Sequence, residues 1–157
     1  MLDIRHTFRS HERLKSRKLI AQLFDKGQSM SQLYPLQLFY LLHADTSLPS
    51  HQVLFSVPKK KVKKASQRNN IRRRMKEAYR LHKHELPALQ PHSPRFLLGY
   101  VYVGPPKPVS YAMLCSKTVA SLRRLVAIYK QHGAQAAECN NHNYLHIASA
   151  QPKPIDL

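Results

Sequence analysis

Acidic residues are scarce in this 157-residue chain: eight Asp and Glu stand against 26 Lys and Arg, a formal net charge of +18. The eight are scattered, with no pair at helical spacing. A protein nuclease of the two-metal kind needs several converging carboxylates, so the sequence offers that chemistry no foothold. Ten His are present, yet none has a visible partner that would poise it for general acid–base work. Cysteine is scarce too, with only Cys115 and Cys139, and two cysteines make no disulfide framework. No apolar run is long enough to span a bilayer. The opening "MLDIRHTFRSHERLKSRK" lacks the apolar core of a signal peptide. The expectation is a soluble, cytoplasmic protein with no membrane partner. Internal repeats are absent, and one lysine-rich segment is the only biased stretch.

The length, with 43% hydrophobic residues, suits one domain with a core and tails. So large a cationic excess repels itself in a compact chain and is normally held against a polyanion. In "SRKLIAQLFDKG", Leu19, Ile20, Leu23 and Phe24 have helical spacing. Ser16 can cap the start and Gly27 can take a left-handed position past the end, predicting a helix over 16–26. "YPLQLFYLLHA" (34–44) and "HQVLFSVP" (51–58) read as strands around a polar hairpin loop, with a weakly signalled short strand near 29–33. "PALQPHSP" (87–94) holds three prolines and excludes regular helix. "RFLLGYVYVG" (95–104) reads as a strand. Leu114, Val119 or Thr118, Leu122, Leu125, Val126 and Tyr129 predict a helix over 110–132, ended by Gly133, with Cys115 a small core residue. The expected organisation is a flexible basic N-terminus (1–15), a folded domain (16–133) and a disordered tail (134–157). The fold class is α+β, a single domain with a mixed sheet of about four strands and three helices in the order αβββαβα.

The stretch "VPKKKVKKASQRNNIRRRMKEAYRLHKHEL" (57–86) carries the functional signal. Between Lys59 and Lys83 it holds twelve Lys or Arg and one acid, Glu77. On a helical wheel, Ile71, Met75, Ala78, Tyr79, His82 and Leu86 share an arc of roughly 100° facing a core. Arg68, Arg72, Arg73, Lys76, Arg80 and Lys83, with Asn69, are read as the adjoining arc, while Arg74 sits apart. A disordered tail has no reason to segregate residues so. An ordinary solvated face mixes signs and gains from ion pairs between turns, whereas this one is nearly all cationic. The partner expected is therefore a nucleic acid. A DNA-reading helix usually belongs to a small helical domain. Here the helix lies between strands, behind the five-lysine loop of Lys59, Lys60, Lys61, Lys63 and Lys64, which suits a folded RNA better than DNA.

At this point the residues resemble a known family, the protein subunit of bacterial ribonuclease P. Its signature is a valine near a strand end, a lysine pair, a basic loop, then Arg-Asn-Arg and a basic helix of the form I-(K/R)-R-x-x-(K/R)-(E/Q)-(A/S)-(F/Y). "VPKKKVKKASQRNNIRRRMKEAYRL" follows it, and the order of elements agrees from about 12 to 132. One departure is that Asn70 stands where the triplet's third residue is arginine.

The resemblance implies an unusual crossover in the fold and an RNA-borne catalyst, with no catalytic residue on the protein. It implies two partners, the catalytic RNA subunit and precursor tRNA. Mg²⁺ would be bound mainly by the RNA, and the reaction is hydrolytic removal of the 5′ leader to give the mature tRNA end. Carried over by position, Arg68, Asn69, Arg72, Arg73, Lys76 and Arg80 dock RNA, and Lys59 and Lys60 match the lysine pair at a cleft edge. Phe24, with Phe39 or Tyr40, is expected to line a leader cleft, where aromatic faces stack unpaired bases. The competing reading of each aromatic is plain core. Neighbouring strand residues face opposite sides, so only one of Phe39 and Tyr40 can do so, and spacing does not say which. Ile20 stands where relatives often carry Phe. The alternative function is a ribosomal or other structural RNA-binding protein, and a DNA regulator ranks third. His132, Cys139, His142 and His146 have metal-ligand spacing but lack a second close pair, so no metal is expected there.

Overall fold

The computed structural model of the protein describes residues 6–44, 47–107 and 109–148, the last fifteen of them as backbone only. A 3₁₀ turn (Ser10–Glu12) leads to helix α1 (Arg17–Lys26) and strands β1 (Gln28–Met30), β2 (Leu36–His43) and β3 (Gln52–Ser56). Helix α2 (Ala65–His82) follows and tightens into a 3₁₀ turn (Lys83–Glu85) before Pro87. Strand β4 (Arg95–Tyr102) and helix α3 (Tyr111–Ala148) complete the order. The sheet runs β1-β2-β4-β3. β2 is antiparallel to β1 and β4, while β3 is parallel to β4, so α2 is the crossover between two parallel neighbours. The α+β class with three helices and one four-stranded mixed sheet is what the sequence predicts.

Alternation along the strands divides the core in two. One face of the sheet buries Leu36, Leu38, Val53, Phe96, Leu98, Tyr100 and Tyr102 with Ile71, Met75 and Tyr79 of α2 and Leu114, Leu122 and Leu125 of α3. The other face presents Leu97, with Phe39, Leu41 and Leu54, to Leu23, Leu19 and Ile20 of α1 and to Leu14. Thr118, not Val119, is the buried member of the α3 stripe, and Cys115 is only half-buried. Ser110 starts α3 by accepting a bond from the Met113 amide at 3.2 Å. Tyr100 Oη and Ser121 Oγ, 2.7 Å apart, satisfy each other between β4 and α3.

Two glycines behave otherwise than expected. Gly27 ends α1 with φ −70°, an extended conformation, not a left-handed one. Its need for glycine comes from close approach, because a Cβ there would stand 2.1 Å from the Leu23 carbonyl oxygen. Gly133 does not end α3. The helix passes through it to Ala148, and no glycine has a positive φ. A glycine in an exposed helix costs only about 1 kcal/mol against Ala. The Ala-, Gln- and Glu-containing run after it favours helix, and no proline follows before Pro152. The side chains of Cys139, His142 and His146, and residues 149–157 of the expected tail, lie outside the described residues.

From His6 on, the basic N-terminal segment makes specific contacts. The Leu14 amide donates to the Val53 carbonyl at 3.0 Å, and Arg13 bridges Val53 in parallel, so the segment covers the open edge of β3. Phe8 meets the rings of Phe55 and Tyr79 edge-on at 6.2 and 6.0 Å.

His51 ties the start of β3 to β4 and to the loop after α2. Its Nδ1 accepts the Phe96 amide at 2.9 Å, so in the neutral ring Nε2–H donates to the Pro87 carbonyl at 3.2 Å. Burial holds its pKa below the ordinary value; the Pro87 carbonyl opposes this and Arg95 adds to it. The folded state therefore binds this proton less readily than the unfolded chain does. The contribution is fully present above the unfolded pKa of about 6.5 and is lost as pH falls below it. Urea midpoints measured from pH 7.5 down to 5.5 should fall more steeply for the wild type than for His51→Gln. Parallel slopes would refute this role.

Candidate nucleic-acid interface

The lysine loop begins where β3 ends at Ser56. Val57 and Val62 are buried and act as its two anchors. The amides of Lys61 and Val62 both donate to the Pro58 carbonyl, at 3.0 and 3.1 Å, which closes a turn. Pinned in this way, Lys59, Lys60, Lys61, Lys63 and Lys64 all project into solvent. Arg68 turns back to the loop and donates to the carbonyls of Val62 (3.0 Å) and Lys63 (2.5 Å). At 100° per residue it shares the arc of Ile71, Met75 and Tyr79, which explains why it is half-buried and clamps the loop instead of standing on the outer face. Lys64 precedes α2 as its N-cap residue without a side-chain capping bond, and the first turn holds no acid. The positive end of the helix dipole thus adds to the loop lysines with no opposing charge.

Along α2, Asn69 and Arg73 are exposed, and Arg72 donates to Asn69 Oδ1 at 3.1 Å. That bond leaves the Asn69 amide nitrogen facing outward as a donor. Lys76 has its pKa held below the usual lysine value, first by burial, then by Arg13 and Arg72. Arg13, Arg72 and Lys76 therefore converge. Arg13 comes from the N-terminal segment, with its guanidinium 5.6 Å from the Phe8 ring centroid. Sequence reading missed it because only the tertiary path of that segment brings it to α2.

The far end of the helix differs. Arg80 forks onto Glu77 at 2.9 and 2.5 Å and also donates to the His6 carbonyl. Lys83 pairs with Glu12 and donates to the Thr7 carbonyl. These two cations hold the N-terminal segment against α2, so the open cationic surface is concentrated in the loop and the helix as far as Lys76.

The opposite face of the sheet carries the aromatic pair. Phe39 lies across from Gly99 in β4, and Leu54 of β3 lies across from Gly99 on its other side. Phe24 of α1 meets Phe39 edge-on, with ring centroids 5.1 Å apart and planes at 61°. Tyr40 points to the α2–α3 side, where its hydroxyl donates to Gln28 Oε1 at 2.8 Å. Of the two candidates, Phe39 is therefore the one beside Phe24. Phe24 is 44% exposed while its neighbour Leu23 is fully buried, so α1 is anchored by one residue and offers the next to solvent.

Gly99 makes this arrangement possible. A Cβ there would stand 3.1 Å from Leu23 Cδ2 and 3.5 Å from Phe24 Cζ. Its sequence signal was a lone glycine inside a strand, which often marks a close approach. Two residues further along each strand, the same face carries Gln37, Val101 and Ser56, all half-buried. Ser56 is the last residue before the lysine loop, so the aromatic surface and the cationic loop are joined by one strip of sheet.

A family model described as Ribonuclease P matches residues 8–127. The ribonuclease P protein component of Chlorobium phaeobacteroides is 43% identical over 84 residues, covering 52% of this chain and 57% of that protein. That of Porphyromonas gingivalis strain W83 is 39% identical over 75 residues, covering 48% and 54%. The matched stretch thus spans little more than half the length of these curated relatives. Among solved structures, the Staphylococcus aureus RNase P protein superposes with a TM-score of 0.55 at 18% identity, covering 76% of this chain and 95% of that one. A second structure of the S. aureus protein gives 0.50 at 18% identity over 79% and 93%. The likeness to those structures shows the shared fold, and the family match takes in the lysine loop, the cationic helix and the aromatic pair alike. The chain belongs to the ribonuclease P protein family.

Proposed function

We propose that this chain is the protein subunit of ribonuclease P and works in the cytoplasm with a catalytic RNA. The observation that carries the reading is the pinned lysine loop feeding the uncapped, cationic start of α2, on one strip of sheet with Phe24 and Phe39. The loop and Asn69, Arg72, Arg73 and Lys76 bind phosphates of the RNA subunit, with Arg68 holding the loop in place. The 5′ leader of precursor tRNA lies along the sheet strip, with unpaired bases against Phe24 and Phe39. The lysine loop at one end of that strip, with the cations of α2 behind it, offsets the repulsion between two RNAs, which favours substrate binding and Mg²⁺ occupancy. Among the described residues, no three His, Cys, Asp or Glu come together as metal ligands. In this reading Mg²⁺ is held mainly by RNA, where it supplies the hydrolytic chemistry.

The test is reconstitution. Purified protein is added to the cognate RNA subunit at a Mg²⁺ concentration where the RNA alone cleaves precursor tRNA slowly. Faster cleavage at the mature 5′ end is expected. No stimulation at saturating protein would overturn the reading.

A further inference from the structure

A concave pocket of about 650 Å³ opens beside the middle of α2 and the start of α3, lined by Asn70, Arg73, Arg74, Glu77 and Tyr111. At 100° per residue the four α2 positions span an arc of roughly 100°, displaced from Arg72 and Lys76. It is therefore a different flank of the helix from the one that meets Arg13. The pocket is also where the family signature departs, since Asn70 replaces an arginine whose longer side chain would reach into this space.

The chemistry of the lining is specific. Glu77 is the only acid, and the Arg80 fork ties up both its oxygens. Arg73 is exposed and has no partner among the described residues. Arg74 is fixed at the rim by one bond, from Nη1 to the Val109 carbonyl at 3.2 Å. Asn70 is exposed with both its donor and acceptor unengaged among the described residues. Tyr111 presents a ring that is 37% exposed. Burial, then the neighbouring Cys115 thiol, pushes its phenol up to about 12, so the ring is neutral at physiological pH. A bare phosphate would have no use for the ring, and an apolar peptide none for the guanidinium groups. A nucleotide uses all of them: a flat base for the ring, a polar base edge for the amide, and a phosphate for the arginines.

The geometry points to this pocket as the receptor for a single unpaired nucleotide of the RNA subunit, with its base on Tyr111, its edge at Asn70 and its phosphate on Arg73. The inference rests on the proposed function and gives it a second, non-ionic contact.

The experiment titrates full-length protein onto the in vitro transcribed cognate RNA subunit at several salt concentrations, with a chemical footprint of unpaired bases at saturation. Tyr111→Ala should weaken binding roughly 10- to 100-fold and leave the salt slope unchanged, because stacking releases no counterions. Tyr111→Phe should bind like the wild type. Arg73→Ala should weaken binding and lower the slope by about one. One unpaired nucleotide should be shielded by the wild type and by Tyr111→Phe, and reactive with Tyr111→Ala. Asn70→Arg, at an exposed position, should also unshield it by filling the pocket, which keeps the test usable if Tyr111→Ala folds poorly. Wild-type affinity and an unchanged footprint in Tyr111→Ala or Asn70→Arg would overturn this inference and leave the proposed function standing. If the wild type itself fails to bind the RNA subunit, both fall.

Discussion

The double variant Arg72→Ala/Lys76→Ala is expected to bind the RNA subunit with a salt slope shallower by about two, and roughly 30-fold more weakly near physiological salt. The magnitude follows from counterion release. Each phosphate neutralised by Lys or Arg contributes about 0.7–0.9 to the slope, or about 1 kcal/mol near 0.15 M salt. The gap between variant and wild type should widen at lower salt and close toward 1 M. These two positions are chosen because Lys76 is crowded by Arg13 and Arg72. Holding three cations together costs free energy in the isolated protein, and a phosphate between them relieves it. The protein alone should therefore be no less stable without Arg72 and Lys76 charges, even as RNA affinity drops. Arg80→Ala should behave in the opposite way. Its guanidinium already holds Glu77 and the His6 carbonyl, so its loss should loosen the N-terminal segment and hardly change the salt slope. Equal slopes for Arg72→Ala/Lys76→Ala and wild type would show that the Arg72–Lys76 stretch of α2 does not meet phosphates.

Much of this surface was legible before the structure, because amphipathic spacing is local information. The apolar stripe of α2 at Ile71, Met75, Ala78 and Tyr79 is buried as the wheel predicts, and the lysines stay exposed because only the loop's two anchors, Val57 and Val62, turn inward. What was hidden depends on partners distant in sequence. Arg80 looks like an outward cation on a wheel, yet it finds a carbonyl 74 residues away. Arg13 joins the site only because the N-terminal segment lies on the edge of β3. The choice between Phe39 and Tyr40 needed the register with β4, which period-two alternation leaves undetermined. Gly27 was placed correctly at the helix end for a different physical reason, a carbonyl too close for any Cβ. Gly133 shows the converse: with no left-handed turn, a glycine among helix formers is only a weak point in a helix that continues.

Phe24→Ala should weaken binding of a precursor tRNA with a 5′ leader by about 1–3 kcal/mol, or roughly 5- to 150-fold, while leaving mature tRNA and RNA-subunit binding almost unchanged. The selectivity rests on where the ring sits. Phe24 is 44% exposed and touches Phe39 at its edge, so truncation uncovers little core, whereas Leu23 beside it is fully buried and anchors α1. Stability loss should accordingly be far smaller than the 2–5 kcal/mol typical of emptying a buried leucine site, which Leu23→Ala should show. Phe24→Tyr keeps a flat face and should retain leader affinity. Gly99→Ala supplies a third arm: its new methyl meets Leu23 Cδ2 at 3.1 Å and Phe24 Cζ at 3.5 Å, which should lift α1 and disturb the ring without removing it. Measured on the reconstituted particle with leaders of several lengths, the loss in Phe24→Ala should appear once the leader is long enough to reach the Phe24–Phe39 pair and then level off. An equal loss on leader-bearing and leaderless tRNA would assign the ring to packing alone and move the leader elsewhere on the sheet.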